Sequence, residues 1–299
     1  MSNSPPDEET PFSRYASVLR PGLFAGEVHW VTGGGSGIGR CVAHELAALG
    51  ATVILTGRTE EKLHKVAAEI AEDGGRAEVS AFDIRIEEAV TGAVSSAVAK
   101  HGRIHGLVNN AGGQFPAPLA LINQKGWETV VRTNLTGGFL VARECYTQHM
   151  AQAEGDHAIV NIIADMWNGM PGMGHSGAAR AGMLNFTETA ALEWAPVRSN
   201  AVAPGWIASS GMDHYPPDMA ELLRGLPKLV PAQRMGNEDE VSAAVVFLLS
   251  PAAAFISGSC LRIDGGAPNA KRLWPQVGNG TATPELNAFH LATKPKVLS

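Results

Sequence analysis

The chain has 299 residues, of which 45% are hydrophobic and 17% are charged, and its formal net charge is −6. This composition is typical of a globular protein with a sizeable core, and a negative charge without a Lys/Arg cluster argues against a nucleic-acid partner. Three widely spaced cysteines argue against a disulfide framework and a metal cluster. No apolar run is long enough to cross a membrane. From these two observations we expect a cytoplasmic protein.

Apolar strands alternate with amphipathic helices along most of the chain. The pattern predicts seven strands, at 28–32, 52–56, 77–82, 104–109, 158–163, 198–203 and 260–263. It predicts helices at 41–49, 60–72, 87–100, 124–149, 176–194 and 238–249. Such alternation indicates βαβ units, in which helices cover both faces of a parallel sheet. We therefore predict an α/β fold, a single Rossmann-type, doubly wound, seven-stranded domain over residues 25–266 after an N-terminal extension over 1–24.

Two segments interrupt this alternation. Residues 206–236 contain four prolines and follow the carboxyl end of a strand. Ligands bind at such strand ends, so we expect a lid over the substrate, and the alternative is a surface loop without a role. Residues 267–299 follow the last strand and carry Trp274 and Phe289. This C-terminal tail is either disordered or an arm that packs on a neighbouring subunit.

A glycine-rich turn follows the first strand. Residues 32–39 read TGGGSGIG and lead into a helix. Gly33, Gly37 and Gly39 allow a backbone conformation that a side chain would forbid, a close approach of a phosphate, and tight packing of helix on strand. The first N–H groups of the helix can then bind a pyrophosphate. The turn, which also contains Ser36 and Ile38, predicts a dinucleotide site.

The end of the second strand indicates which dinucleotide binds. In NAD sites an acidic residue about 20 positions beyond the glycine motif holds the ribose 2′-hydroxyl. Here Gly57 and Arg58 stand at that position. A guanidinium clamps a 2′-phosphate, which a carboxylate would repel. We therefore predict NADPH/NADP+ rather than NAD(H); the alternative is a solvated arginine paired with Glu60 or Glu61.

Further motifs, in order, resemble those of the short-chain dehydrogenase/reductase family over residues 24–266. Besides the glycine turn they are Asp83-Ile84, Asn109-Asn110-Ala111-Gly112, Asn134, Pro204-Gly205 and Asp264-Gly265-Gly266. The resemblance implies that Asp83 and Ile84 flank the adenine and that Asn110, Ala111 and Gly112 line a ribose. It also implies that Asn134 holds a water of a proton relay. The nicotinamide carboxamide would meet Pro204, Gly205, Trp206, Ile207 and Ser209.

The chain departs from this family at the catalytic residues. The family uses a serine to bind the carbonyl, and a Tyr-x-x-x-Lys motif to donate the proton and bind the ribose. Here the tyrosine position is Ser176, the lysine position is Arg180, and the serine position falls on Ile163 or Ala164. The three tyrosines of the chain, at positions 15, 146 and 215, lie outside this stretch. The usual proton donor is therefore missing.

This departure bears on the reaction. Reduction of a ketone puts charge on an alkoxide, which needs a phenol-like acid beside it. Reduction of a double bond conjugated to a thioester mainly needs hydrogen-bond donors around an enolate oxygen, and Ser176, His175 and backbone N–H groups can supply them. His175 is either a general acid or a residue placed by loop geometry; Asp165 either orients it or caps a turn. Arg180 can bind the ribose hydroxyls, and Tyr215 is either a donor from the lid or a substrate contact.

The segments at 175–182 (HSGAARAG) and 134–137 (NLTG) resemble the peroxisomal trans-2-enoyl-CoA reductase branch, which uses NADPH. The chain is also similar to bacterial citronellol/citronellal dehydrogenases. Our first hypothesis is an NADPH-dependent reductase of an enoyl thioester such as an acyl-CoA. The second is a terpenoid alcohol/aldehyde dehydrogenase, and the third is a non-catalytic dinucleotide-binding protein. The family resemblance further implies a homotetramer formed through the helices at 124–149 and 176–195.

Overall fold

A parallel sheet lies at the centre of the computed structural model, which describes residues 14–214, 219–267 and 281–298. Its seven strands follow the order β3-β2-β1-β4-β5-β6-β7. They are β1 (Val28–Thr32), β2 (Thr52–Gly57), β3 (Arg76–Ala81), β4 (Gly106–Asn109), β5 (Ala158–Ile162), β6 (Arg198–Pro204) and β7 (Cys260–Ile263). The order reverses between β1 and β4, and such a reversal opens a crevice at the carboxyl ends of the strands. The predicted fold class is confirmed.

Helices cover both faces of this sheet. They are α1 (Gly37–Ala48), α2 (Glu60–Glu72), α3 (Glu87–His101), α4 (Gln124–Val131), α5 (Gly137–Cys145), α6 (Gly174–Glu193), α7 (Ala220–Gly225) and α8 (Glu238–Leu249). One apolar core lies between the sheet and α1, α2 and α8, and a second lies against α3 and α5. Strands buried on both faces are largely apolar, and the buried Trp30 of β1 donates its indole N–H to Thr56 Oγ1 at 2.8 Å. No helix in the described ranges is long and apolar enough to span a membrane.

Several helix starts differ from the sequence prediction. The bounds of α2 and α8 agree with it, but α1 begins at Gly37 rather than at residue 41, and α6 begins at Gly174 rather than at residue 176. Both helices begin on glycine, which is a poor helix former. The apolar pattern therefore placed the start of each helix too late.

The long helix predicted over 124–149 is continuous but irregular. It runs from Gln124 to Met150, with π-helical segments at Arg132–Thr136 and Tyr146–Met150. The first π-helical segment contains Asn134, whose Oδ1 accepts a hydrogen bond from the Gly113 N–H (3.0 Å) and whose Nδ2 donates to the Gly113 carbonyl (2.7 Å). Insertions of this kind are frequent at functional sites. Here the insertion ties the helix to the segment that follows β4.

The described part of the C-terminal tail, residues 281–298 (the C-terminal segment), packs on its own chain. Phe289 is only 5% exposed and joins a cluster with Tyr15 and Cys41. The backbone of Ala288 is fixed on both sides, since its N–H donates to Asp239 Oδ2 (2.7 Å) and its carbonyl accepts from the Ala16 N–H (2.9 Å). The apolar surface left open beside α1 explains this arrangement. Trp274 lies outside the described residues.

The lid predicted over 206–236 is a folded excursion beyond β6. Apart from 215–218 it is described, and it contains α7 and two short 3₁₀ helices, Ser210–His214 and Leu226–Leu229. Val297 and Leu298 of the C-terminal segment pack on the small apolar core of the lid. Arg234 forms an ion pair with Glu240 (2.6 Å) and donates to the Thr283 carbonyl (2.9 Å). The C-terminal segment is thus attached to the lid. Tyr215 lies outside the described residues.

Candidate active site

The glycine-rich turn between β1 and α1 is closely packed on one side and open on the other. Gly33 adopts φ +67°, and a Cβ there would lie 2.8 Å from Asn110 Nδ2. A Cβ on Gly39 would collide with the same amide nitrogen and with the Gly33 carbonyl. Gly37 also has a positive φ of +57°, but a Cβ there would meet only Glu238 Oε1, at 3.8 Å. Gly33 and Gly39 therefore serve packing, whereas Gly37 leaves space for a ligand.

The end of β4 holds this turn in place. Asn110 Nδ2 donates to the Thr32 carbonyl at 3.0 Å. The N–H groups of Asn110 and Ala111 both donate to Thr32 Oγ1 at 3.0 Å. The two strands on either side of the topological reversal are thereby joined at their carboxyl ends. The side chain of Asn110 thus has a structural role, and its predicted contact with a ribose stays a prediction.

The start of α1 suits a pyrophosphate. Ser36 is the exposed residue before the helix, and its side chain makes no capping bond. The first N–H groups of α1, including that of Ile38, are therefore left uncapped by it, next to the open space at Gly37. A helix N-terminus with free N–H groups and space for oxygen atoms favours an anion. These residues fit the diphosphate of a dinucleotide.

The adenine end is framed by charged residues. Arg58 is exposed directly beyond β2. The Asp83 carboxylate is held by Arg85, whose Nε donates to Oδ1 at 2.9 Å and whose guanidinium lowers the pKa of Asp83, as does the charge of Arg58 to a smaller extent. Ile84 turns into the core, where it leaves no room for a Cβ on Gly137. Arg85 was not singled out from the sequence, and the adenine contacts of Asp83 and Ile84 stay predictions.

Arg180, Asn134 and Gly112 converge at the ends of β4 and β5. Arg180 Nη1 donates to the Ile162 carbonyl at 2.5 Å, and its Nε has no partner within the described residues. A Cβ on Gly112 would lie 2.6 Å from both Arg180 Nη2 and Asn134 Oδ1. Burial lowers the pKa of Arg180 to about 10, so the guanidinium remains charged at neutral pH. Arg180 is desolvated and has no carboxylate as an ion-pair partner within the described residues. Such a cation favours an oxygen-rich ligand such as a ribose.

Ser176 and His175 are buried at the start of α6, against the segment that follows β4. The Ser176 hydroxyl donates to Gln114 Oε1 at 2.7 Å. His175 Nδ1 accepts from the Ser176 N–H at 2.9 Å, which leaves the neutral ring its proton on Nε2. Phe115 meets the ring of His175 edge-on at 4.5 Å. Gln114 was missed as a site residue, although a polar side chain directly after the Asn-Ala-Gly motif was a usable signal.

The loop after β6 is fixed from two sides. The Gly205 N–H donates to the Ile263 carbonyl at 2.9 Å, and a Cβ on Gly205 would lie 2.8 Å from Asp264 Cα. Ile207 pairs with Gly236 at the far end of the lid. The loop is therefore a rigid rim at the carboxyl edge of the sheet, as a carboxamide site requires. It carries the other residues predicted to meet the carboxamide, Pro204, Trp206 and Ser209.

Comparisons with known proteins point to one family. The family model described as enoyl-(acyl carrier protein) reductase matches residues 33–268. The probable 2,4-dienoyl-CoA reductase of Bacillus subtilis is 34% identical over 240 residues, which are 79% of this chain and 94% of that protein. The peroxisomal 2,4-dienoyl-CoA reductase of Danio rerio is 34% identical over 274 residues, 89% of this chain and 90% of that protein.

A solved structure is more similar in sequence. It is the citronellol catabolism dehydrogenase AtuB of Pseudomonas aeruginosa PAO1, which is 61% identical, with a TM-score of 0.76. The match covers 85% of this chain and 99% of that one. Within the described residues, no group of three or more His, Cys, Asp or Glu side chains is arranged to hold a metal ion.

Proposed function

The chain belongs to the short-chain dehydrogenase/reductase family, and we propose that this NAD(P)-dependent oxidoreductase uses NADPH to reduce the α,β double bond of an acyl thioester. One observation carries the proposal: no tyrosine of the described residues lies at the carboxyl edge of the sheet. Tyr15 packs on Phe289, with ring centroids 5.6 Å apart. Tyr146 stacks on Trp194 at 4.5 Å. A reaction that needs no phenol is therefore favoured.

The polar groups of the site suit this chemistry. Bound NADPH supplies a hydride to Cβ of the substrate, and negative charge then spreads to the thioester oxygen. Donors fixed around that oxygen stabilise the enolate, a role that we assign to backbone N–H groups near Ser176, whose own O–H donates to Gln114 Oε1. Arg180 binds the ribose hydroxyls of the cofactor through its unpartnered Nε, and Asn134 positions the segment at Gly113. His175 supports Ser176 through its contact with the backbone.

Two similarities bear on the substrate. Both curated relatives are named as reductases of 2,4-dienoyl-CoA that produce a (2E)-enoyl-CoA and a (3E)-enoyl-CoA, so their names support a conjugated acyl thioester as substrate rather than the position of the reduced bond. The AtuB structure, at 61% identity, favours a second candidate, the oxidation or reduction of a terpenoid alcohol or aldehyde. That reaction passes through an alkoxide and needs an acid other than tyrosine. We rank it second for that reason.

Oxidation of NADPH, followed by its near-ultraviolet absorbance, separates the candidates. The substrates are trans-2-enoyl-CoA and 2,4-dienoyl-CoA of several chain lengths, citronellal, and a simple ketone. Turnover of the conjugated thioesters with little turnover of citronellal is expected. Turnover of citronellal alone would contradict the first proposal and support the second. Tight binding of NADPH without turnover of any substrate would indicate a non-catalytic protein.

We assign the choice of NADPH to Arg58. It is exposed beyond β2, and its charge contributes to the lowered pKa of Asp83. Hydrogen bonds to a charged group are worth about 1.5–3 kcal/mol, so Arg58→Asp should raise the KM for NADPH on the order of 10- to 100-fold. The KM for NADH should fall or stay constant. Arg76→Asp, a change of an equally exposed arginine at the amino end of β3, is the matched control. An unchanged NADPH preference in Arg58→Asp would remove this role.

We also propose a homotetramer formed through the helical layers at 124–149 and 176–195. Phe139 on α5 is 36% exposed and Leu192 on α6 is 83% exposed. Apolar side chains on the outer faces of long helices are typical of contact surfaces. Light scattering of the purified protein should give four times the mass of one chain, and a monomer mass would contradict the proposal.

A further inference from the structure

Asp165 stands at the point where the ends of β5 and β6 meet. Its backbone N–H donates to the carbonyl of Pro204 at 3.2 Å. Asp165 lies three residues beyond Ile162, whose carbonyl accepts a hydrogen bond from Arg180. The rim at Pro204-Gly205 lies on its other side. Asp165 therefore lies between the groups proposed to hold the ribose and those proposed to hold the carboxamide.

The carboxyl group of Asp165 has a hydrogen-bond partner for only one of its two oxygens. It accepts a hydrogen bond from the Trp167 N–H, which agrees with the turn-capping alternative raised from the sequence. Its Oδ1 is buried and has no hydrogen-bond partner within the described residues. A buried polar oxygen without a partner is uncommon, and its desolvation is costly. A protonated carboxyl group whose O–H faces a ligand would account for this oxygen.

The charges around Asp165 favour the protonated form. Burial raises its pKa, the carboxylate of Asp264 beyond β7 raises it further, and the guanidinium of Arg262 opposes both. Arg262 forms an ion pair with Asp264 at 2.8 Å. These two are the charged groups that act on Asp165 in the described ranges.

The other candidate donors within the described residues, Ser176 and His175, are enclosed by protein. The Ser176 O–H is taken by Gln114 Oε1. His175 is fully buried and its Nδ1 accepts from the Ser176 N–H; its Nε2 has no partner within the described residues but is enclosed, with Phe115 edge-on to the ring. Asp165 is in contrast only partly buried as a residue, although its Oδ1 is enclosed. It is therefore the carboxyl group best placed to reach a substrate at this edge.

We propose that Asp165 is the proton donor of the reduction, an assignment that rests on the proposed function. Hydride forms a new C–H bond at Cβ, and the π electrons of the double bond move toward the thioester carbonyl. The Asp165 O–H bond then breaks, Cα receives the proton, and a carboxylate remains that water reprotonates. NADPH is oxidised to NADP+ and the alkene is reduced, so atoms and electrons balance. On an aldehyde the same proton would go to the alkoxide oxygen.

The test compares Asp165→Asn with the wild type on the substrate that the wild type turns over. General acid catalysis contributes about 10²- to 10⁴-fold, so kcat should fall by at least about 100-fold. The Kd for NADPH, measured by fluorescence, should not change, which also shows that the variant is folded. The wild-type kcat should fall as pH rises through the pKa of Asp165, and the residual rate of Asp165→Asn should lack this step. Asp165→Glu should recover part of the rate.

Asp264→Asn gives an independent check. It retains a side-chain oxygen for the Gly266 N–H but removes the like charge beside Asp165. The fall of kcat should therefore move to lower pH while activity persists. Wild-type kcat and an unchanged pH profile in Asp165→Asn would overturn the assignment even if the enoyl thioester is the substrate. A wild type that turns over no substrate at all would overturn the proposed function and this assignment with it.

Discussion

Glu238, the first residue of α8, should make the stability of the protein depend on pH. Its Oε1 lies 3.8 Å from the point where a Cβ on Gly37 would stand. Burial raises the pKa of Glu238 from 4.5 to about 7; the charge of Arg40 opposes this shift and that of Asp239 adds to it. The folded protein thus binds this proton more tightly than the unfolded chain does. The stabilisation is complete below the unfolded pKa and is lost as pH rises through about 7.

The magnitude follows from the shift. A rise of about 2.5 units corresponds to about 3 kcal/mol at 1.36 kcal/mol per unit. Glutamine cannot ionise, so Glu238→Gln should gain stability relative to the wild type by about 1–3 kcal/mol between pH 5 and pH 8.5. Urea unfolding at both pH values measures this difference. The affinity for NADPH should also fall with rising pH in the wild type and less in the variant, because the ionised carboxylate lies beside the proposed pyrophosphate site.

Glu240→Gln is the matched control on the same helix turn. Desolvation acts to raise the pKa of Glu240, but the hydrogen bonds and charge of Arg234 outweigh it and lower the pKa. Its titration therefore lies below pH 4.5, so the stability difference between Glu240→Gln and the wild type should be nearly the same at pH 5 and pH 8.5. If the stability difference between Glu238→Gln and the wild type is the same at pH 5 and pH 8.5, Glu238 is not shifted and the reasoning fails.

Two further predictions follow from the contacts described above. Arg180→Ala removes the guanidinium at the end of β5, and we expect the KM for NADPH to rise on the order of 10-fold or more; unchanged steady-state kinetics would place Arg180 outside the site. Phe289→Ala should lower the free energy of unfolding by about 3 kcal/mol, since the ring is 5% exposed. Phe255→Ala, which changes a fully exposed phenylalanine, should have little effect, and equal losses in the two variants would show that Phe289 is not packed.

The sequence was most informative where local rules decide the structure. The strand bounds follow from apolar runs, and α8 has a clear start signal, a capping box formed by Asn237 and Glu240. The sequence predicted that one glycine of the turn serves close packing, whereas the structure shows that both Gly33 and Gly39 approach Asn110, a partner that emerged only from the structure. A contact between residues more than 70 positions apart depends on how the sheet is ordered.

Other features had no local signal. The π-helical segment around Asn134 follows from a side chain that reaches Gly113 across the fold, which no helical periodicity encodes. The packing of Phe289 on Tyr15 joins the two ends of the chain, and the sequence offered only a choice between disorder and a neighbouring subunit. The unpartnered oxygen of Asp165 and the shifted pKa of Glu238 depend on desolvation, which is a property of the folded surroundings.

The position of the C-terminal segment has a consequence for synthesis on the ribosome. Phe289 covers Tyr15 and Cys41, so the chain closes a loop of nearly its whole length to complete this cluster. Contacts of such separation form late, because the loop entropy is lost before they can form. The βα units before β7 can assemble while the nascent chain is still attached, but the surface at Cys41 stays uncovered until residue 289 has left the exit tunnel. The outer face of α1 is thus covered only once residue 289 has emerged, and thiol labelling of Cys41 on nascent chains stalled at successive lengths would follow this step.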